Sequence, residues 1–205
     1  VLLRNADEKD KANMNLVASV IRKNNLRHFR EIALRNSSSL IDSLHAIKEN
    51  IVFFPSNNQV QVIDLVSKLG NSTSDKRISL VGMQEWNRYD NIDYDHLNNL
   101  KFTYASSYAP DFDSEELKRF RKAYKDEYKA EPGSYSIQGY DLGICFLPLI
   151  ARYGKGFYRC MENLPGQNGL GMKYRFVRAG KKNGIENQGI HVITLDDFIA
   201  QPLKP

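Results

Sequence analysis

The chain has 205 residues, 41% hydrophobic and 26% charged, enough for a core without disulfide or metal staples. This composition excludes a collagen-like, low-complexity or disordered chain, and no apolar run approaches the ~18–20 residues of a membrane helix. The formal charge of +5 is local: residues 155–182 hold seven basic residues against Glu162 alone, so that window carries +6 and the rest of the chain −1.

The chain opens on Val-Leu-Leu-Arg, a strand already under way, and reads as the later part of a longer protein. Val1–Asn5 closes on the polar turn Asn5-Ala6-Asp7. A helical pattern follows, with Met14, Val17 and Ile21 on one face and Leu16 and Val20 beside it. Phe29–Leu34 reads as a strand. Ser37–Ser39 can cap a helix with Leu40, Leu44 and Ile47 inward. Ile51–Phe54, closed by Pro55, suits a buried parallel strand. Asn57 or Asn58 caps the next helix, with Val62, Ile63, Val66 and Leu69 inward and Gly70 at its end. Ile78–Val81 is another buried strand, ending at Gly82, and Lys101–Tyr104 follows as the last of the series. This alternation predicts a doubly wound α/β unit over residues 1–105: a parallel sheet between two helix layers, joined by right-handed crossovers.

The pattern then changes. Asp113 with Glu116 forms a capping-box arrangement, and Leu117, Phe120, Tyr124 and Tyr128 make a helical stripe. Ser136–Arg152 is a second helix, with Ile137, Tyr140, Ile144 and Leu147, which Pro148 should kink or shorten. Two successive helices without an intervening strand must pack on something other than the first sheet. In the Gly- and Asn-rich tail, Met172–Val177 and His191–Leu195 are strand-like, and Ala179–Asn187 between them predicts a β-hairpin.

The residues that carry chemistry are sparse. Histidines stand at 28, 45, 96 and 191, none at metal-ligand spacing, and His28 and His45 read as surface or strand-end residues. No Gly-x-Ser-x-Gly occurs and no carboxylate pair stands out. No catalytic residue, metal or cofactor is therefore assigned, and the chain reads as a non-enzyme. Gly166-Gln-Asn-Gly169-Leu-Gly171 invites a phosphate-loop reading, but it precedes a strand, whereas such a loop follows a strand and opens a helix. It reads as a flexible turn. Cys145 reads as a buried small hydrophobe, and Cys145 and Cys160 do not make a zinc site. The basic segment interleaves Phe157, Tyr158, Tyr174 and Phe176, a mixture also found on nucleic-acid surfaces. Its basic residues do not fall on one strand face, so nucleic acid is not assigned as a partner.

Ligands of open parallel sheets bind at the carboxyl ends of the strands. There the sequence places Ser56 and Asn57, and the group Gln84, Glu85 and Trp86 with the sole tryptophan. These side chains can hydrogen-bond a polar solute and cover its apolar part. The alternative is structural: Trp86 anchors its loop, and Asn57 or Asn58 only caps a helix.

Several stretches together resemble a known family. They are Ile78-Ser-Leu-Val-Gly-Met-Gln-Glu-Trp86, Pro110-Asp111-Phe-Asp, Phe120-Arg-Lys-Ala-Tyr124-Lys-Asp-Glu-Tyr128, Glu131-Pro132 and Gly139-Tyr140-Asp141. The order resembles the later part of the type I periplasmic binding proteins, the branched-chain-amino-acid receptors of ABC transporters. That family's fold is two doubly wound lobes that close on a solute about a hinge. The resemblance implies residues 1–108 as the second lobe, 109–154 as helices returning to the first lobe, and 155–205 as a tail returning to the second. It places Tyr108–Asp111 near a hinge crossing and turns Tyr140 toward the cleft. It implies a periplasmic or otherwise extracytoplasmic protein that binds a small polar ligand, an amino acid or related solute. An ABC permease or envelope protein is the implied partner, with lipid anchoring through an upstream segment and dimerisation of the fragment as further options. Family receptors place an acid soon after the strand ending here at Gly82, where this chain has Gln84 and then Glu85. Asn57 stands where an aromatic is common. Similar folds in envelope lipoproteins that regulate peptidoglycan synthesis give the second reading: a non-transport interaction module whose basic segment docks on an acidic partner.

Overall fold

Short apolar runs alternating with amphipathic helices build a parallel sheet in the computed structural model, which describes residues 1–26, 29–34, 37–180 and 184–203. The chain divides into two compact units, residues 1–105 with 192–205, and residues 106–191.

The first unit begins β1 (Leu2–Arg4), α1 (Glu8–Lys23), β2 (Glu31–Ala33), α2 (Ser37–Ser43), β3 (Asn50–Phe53), α3 (Gln59–Gly70) and β4 (Ile78–Gly82). A 3-10 helix over Gln84–Arg88, α4 (Tyr94–Asn99) and β5 (Thr103–Ser106) follow. β1 pairs in parallel with β2 and β3, β3 with β4 and β4 with β5, in register Asn50↔Ile78 and Val81↔Thr103. The order β2-β1-β3-β4-β5 reverses direction between β1 and β3, the place where open α/β sheets form a crevice at their carboxyl edge.

Local chemistry explains the helices. Asp7 caps α1 by accepting from the Lys9 amide, Asn58 caps α3 through the Gln61 amide, and Asp93 caps α4 through the His96 amide. α3 buries Val62, Leu65, Val66 and Leu69, each worth roughly 1.5–3 kcal/mol of apolar burial. α1 buries Asp10, Met14, Ala18 and Ile21, while Leu16 and Val20, expected beside that face, are exposed. In the second helical segment Leu40 and Leu44 are buried as expected, but α2 ends at Ser43 and Ile47 is 80% exposed. Capping by the Ser37–Ser39 side chains, and the placement of His28, lie outside what is described.

The second unit holds α5 (Glu115–Tyr128) and α6 (Ser134–Tyr153), the short antiparallel pair β6 (Gln167–Asn168) and β7 (Lys173–Tyr174), and the pair β8 (Phe176–Arg178) and β9 (Ile185–Asn187). The cap of α5 is Ser114, one residue past the expected Asp113. α6 runs through Pro148 to Tyr153 rather than stopping there. Its buried face is Ile137, Asp141, Cys145 and Leu149, while Tyr140, Ile144 and Leu147 are exposed. The spacing of four selects the Asp141 face because the carboxylate finds its partners there. Both cysteines are free, and burial pushes the Cys145 thiol pKa up.

The expected hairpin is corrected. Phe176–Arg178 pairs with Ile185–Asn187, not with His191–Leu195. Residues 191–196 instead form β10 (His191–Asp196), which pairs antiparallel with β11 (Ile199–Pro202) and extends the first unit's sheet beyond β5 to seven described strands. Residues 155–191 thus lie with the two helices, and the tail joins the sheet unit only from Val192.

Candidate functional site

The strand-end loops of the first unit meet in a buried polar cluster at the β1/β3 reversal. Ser56 is fully buried. Its hydroxyl donates to Asp10 Oδ2 and accepts from Asn5 Nδ2 at 3.1 Å and from the Asn58 amide at 3.1 Å. Asn5 Nδ2 also lies 2.8 Å from Asp10 Oδ2 and 2.9 Å from Gln61 Oε1. The loop after β4 is tied to the same cluster. Trp86 Nε1 donates to the Ser56 carbonyl at 2.8 Å, and the Tyr89 hydroxyl donates to the Asn57 carbonyl at 3.0 Å. Trp86 has no solvent exposure and stacks on Phe102 with centroids 5.1 Å apart. Gly82 makes that possible, since any Cβ there would overlap the indole ring.

The five candidate residues of this unit therefore divide. Asn57, Gln84 and Glu85 are exposed on the loops. Ser56 and Trp86 are enclosed, and their hydrogen bonds hold the loops. The Tyr89 phenol is raised above its usual range by burial and then by the nearby negative charges of Glu85 and Asp10. Asp10, Gln61 and Tyr89 were not anticipated as members, while Asn5 lies in the turn that the sequence places at the end of the first strand. One signal for Asp10 was available: it stands four residues before Met14, in register with the buried face of α1.

Tyr140 belongs to the second unit, where it is half-exposed and packs on Phe120 with centroids 4.7 Å apart. Phe120, Tyr124 and Tyr128 continue as a ladder of rings along α5. Asp141 is fully buried and accepts from the amides of Leu170 (2.6 Å), Gly171 (2.9 Å) and Met172 (2.9 Å). The amides of the Gly-rich run are thus spent on an internal carboxylate rather than offered to a phosphate. A Cβ at Gly169 would overlap this carboxylate. Around it, burial, with the Asp141 and Cys145 charges, pushes the Tyr174 phenol up to about 12. His191, whose Nε2 lies 3.1 Å from the Gly171 carbonyl, has its pKa lowered, first by burial and then by Lys173.

A cleft of about 750 Å³ opens elsewhere in the first unit, near the amino ends of β1 and β3, lined by Val1, Ile21, Phe29, Asn50, Ile51 and Phe53 among others. Its polar rim is already engaged locally. Arg30 donates to the Ser43 carbonyl at 2.8 Å, and His45 Nδ1 accepts from the amides of Ile47 and Lys48. Open parallel sheets bind ligands at their carboxyl edge, so the candidate site is placed there rather than at this cleft.

No family model and no curated protein matches the sequence. Solved structures do. The chain is similar over 98% of its length to the ABC transporter substrate-binding protein of Desulfitobacterium hafniense in complex with Leu, at 14% identity and a TM-score of 0.58. It is similar over 99% to the amino acid ABC transporter substrate-binding protein of Pseudomonas fluorescens Pf-5, at 12% identity and a TM-score of 0.53. The fold is that of the substrate-binding proteins of ABC transporters. Over 98% of its length the chain is also similar to LpoA of Haemophilus influenzae, at 12% identity and a TM-score of 0.50. It spans 59% and 57% of the two substrate-binding proteins and 35% of LpoA. The resemblance drawn from the motif order is met in the substrate-binding fold. No described helix is long and apolar enough to cross a membrane.

Proposed function

We propose that this chain is part of an extracytoplasmic solute-binding protein that recognises a small polar ligand of the amino-acid class. Recognition takes place at the carboxyl edge of the first unit's sheet and breaks no bond. Asn57, Gln84 and Glu85 face the solute, and Ser56 and Trp86 hold the loops that carry them. The observation that carries this reading is the joining of three strand-end loops at the sheet's reversal point, with exposed amide and carboxylate groups on top. The substrate-binding neighbours support the class of function, one of them being in complex with Leu. Calorimetry on the full-length protein with L-leucine, L-valine, short peptides and sugars tests it. An amino-acid ligand should bind, and Glu85→Ala should weaken it by about 10-fold or more, the loss expected for a hydrogen bond to a charged group. Absence of binding by every solute would overturn the reading.

A second reading has its own support. Lys155, Arg159, Lys173 and Arg175 make no ion pair among the described residues, while Arg178 pairs with Glu162 at 2.8 Å; Lys181 and Lys182 lie outside the description. Cations on one segment without a described acidic partner of their own suit an acidic partner protein, as in a non-transport envelope module. Capture of an envelope partner that is lost on charge reversal of the four residues would favour this reading, and unchanged capture would remove the segment as a docking surface.

A further inference from the structure

Asp10 is 6% exposed and makes no ion pair with a described Lys or Arg. Its partners are neutral: the Ser56 hydroxyl and the Asn5 amide. A buried carboxylate without a cation is costly to keep. The amino end of the same sheet shows that fastening loops does not require one. There buried Asn50, a neutral amide, donates to the carbonyls of His45 (2.9 Å), Lys48 (3.1 Å) and Arg77 (3.1 Å) and accepts from the His45 amide (2.8 Å).

We propose that Asp10 is a positioning residue whose carboxylate sets the loops after β1, β3 and β4 in binding-ready geometry before any solute arrives. This rests on the reading of the carboxyl edge as the recognition site. The carboxylate dictates which way both donors point. It takes the Ser56 hydrogen, which leaves the Ser56 oxygen to accept from Asn5 and from the Asn58 amide. With Ser56 fixed, its carbonyl receives Trp86, and Trp86 holds Gln84 and Glu85, its neighbours in the same 3-10 helix. Tyr89, reaching the Asn57 carbonyl, closes the ring of contacts. Both donors meet the same oxygen, Asp10 Oδ2, so an amide that places its carbonyl oxygen there keeps both bonds, whereas Asp10→Ala removes the shared acceptor. Loops ordered in advance spare the ligand the ordering cost.

The test compares Asp10→Ala with Asn50→Ala in the full-length protein, the second variant breaking a buried polar hub at the other end of the sheet. Hydrogen exchange is followed at the Trp86 indole and at the hydrogen-bonded amides of Asn58, Trp86 and Tyr89, corrected for global stability from urea unfolding. Asp10→Ala should speed exchange at these groups by about tenfold, and Asn50→Ala should leave them within about twofold. L-leucine affinity, where the wild type binds it, should fall by a similar factor in Asp10→Ala alone. Equal exchange in the two variants, or a change spread evenly over the unit, would overturn the proposal. If Asp10→Ala does not fold, Ser56→Ala removes the same link and should loosen the same groups. If the wild type binds neither L-leucine nor L-valine, the recognition reading loses its support, while the exchange comparison still decides the role of Asp10.

Discussion

Two buried carboxylates fasten loops in opposite ways. Asp141, in the second unit, takes three backbone amides from a Gly-rich run. Asp10, in the first, takes side-chain donors from Asn5 and Ser56. Backbone partners tolerate almost any residue in the loop, apart from positions such as Gly169 where there is no room for a Cβ. Side-chain partners demand particular residues at distant places in the sequence, so one substitution there can re-aim a loop. The first arrangement suits a fixed scaffold and the second a surface whose specificity can be retuned.

The sharpest way to break this comparison is Asp141→Ala. Three amides lose their acceptor in a buried place, and unfolding in urea should show a loss of about 3–5 kcal/mol. Asp141→Asn, which keeps one carbonyl oxygen, should lose less. Next comes Trp86→Phe, which preserves ring stacking on Phe102 and leaves the Ser56 carbonyl without its donor. A cost of about 1–2 kcal/mol is expected, measurable by thermal unfolding.

A smaller effect follows from His191. Its folded pKa lies below the 6.5 of a free histidine because burial and Lys173 disfavour the charged form. The unfolded chain therefore takes up the proton first, and the stabilising contribution, complete above pH 6.5, is lost as pH falls through the lowered value. Unfolding midpoints between pH 7.5 and 5 should decline, and His191→Gln should flatten that slope. Smallest of all, Gln84→Ala and Asn57→Ala should change stability by no more than about 0.5 kcal/mol, since both residues are exposed. A much larger loss would make them scaffold rather than recognition residues.

The sheet of the first unit was legible because its signals are local: apolar runs of strand length, helical stripes and capping residues such as Asn58. Misreadings arose where partners are distant. Tyr140, Ile144 and Leu147 stand out in the sequence of α6 as apolar residues, yet its buried face holds Asp141, whose donors lie some thirty residues on. The strands of the tail were recognised, but their pairing is not a local property, and β10 joins the sheet beside β5. At the candidate site the loops were legible from strand ends. The division between the exposed Glu85 and the enclosed Trp86 was not, because one turn of 3-10 helix separates neighbours onto opposite sides.

The sole tryptophan, shielded from water and hydrogen-bonded to the Ser56 carbonyl, has a consequence for optical work. Indole emission lies at shorter wavelength in a dry site than in water, so this protein carries a built-in fluorophore at the joint of its strand-end loops. Loosening of those loops should shift the emission to the red without any added label. Melting confined to residues 106–191 should leave the signal largely unchanged while tyrosine absorbance responds.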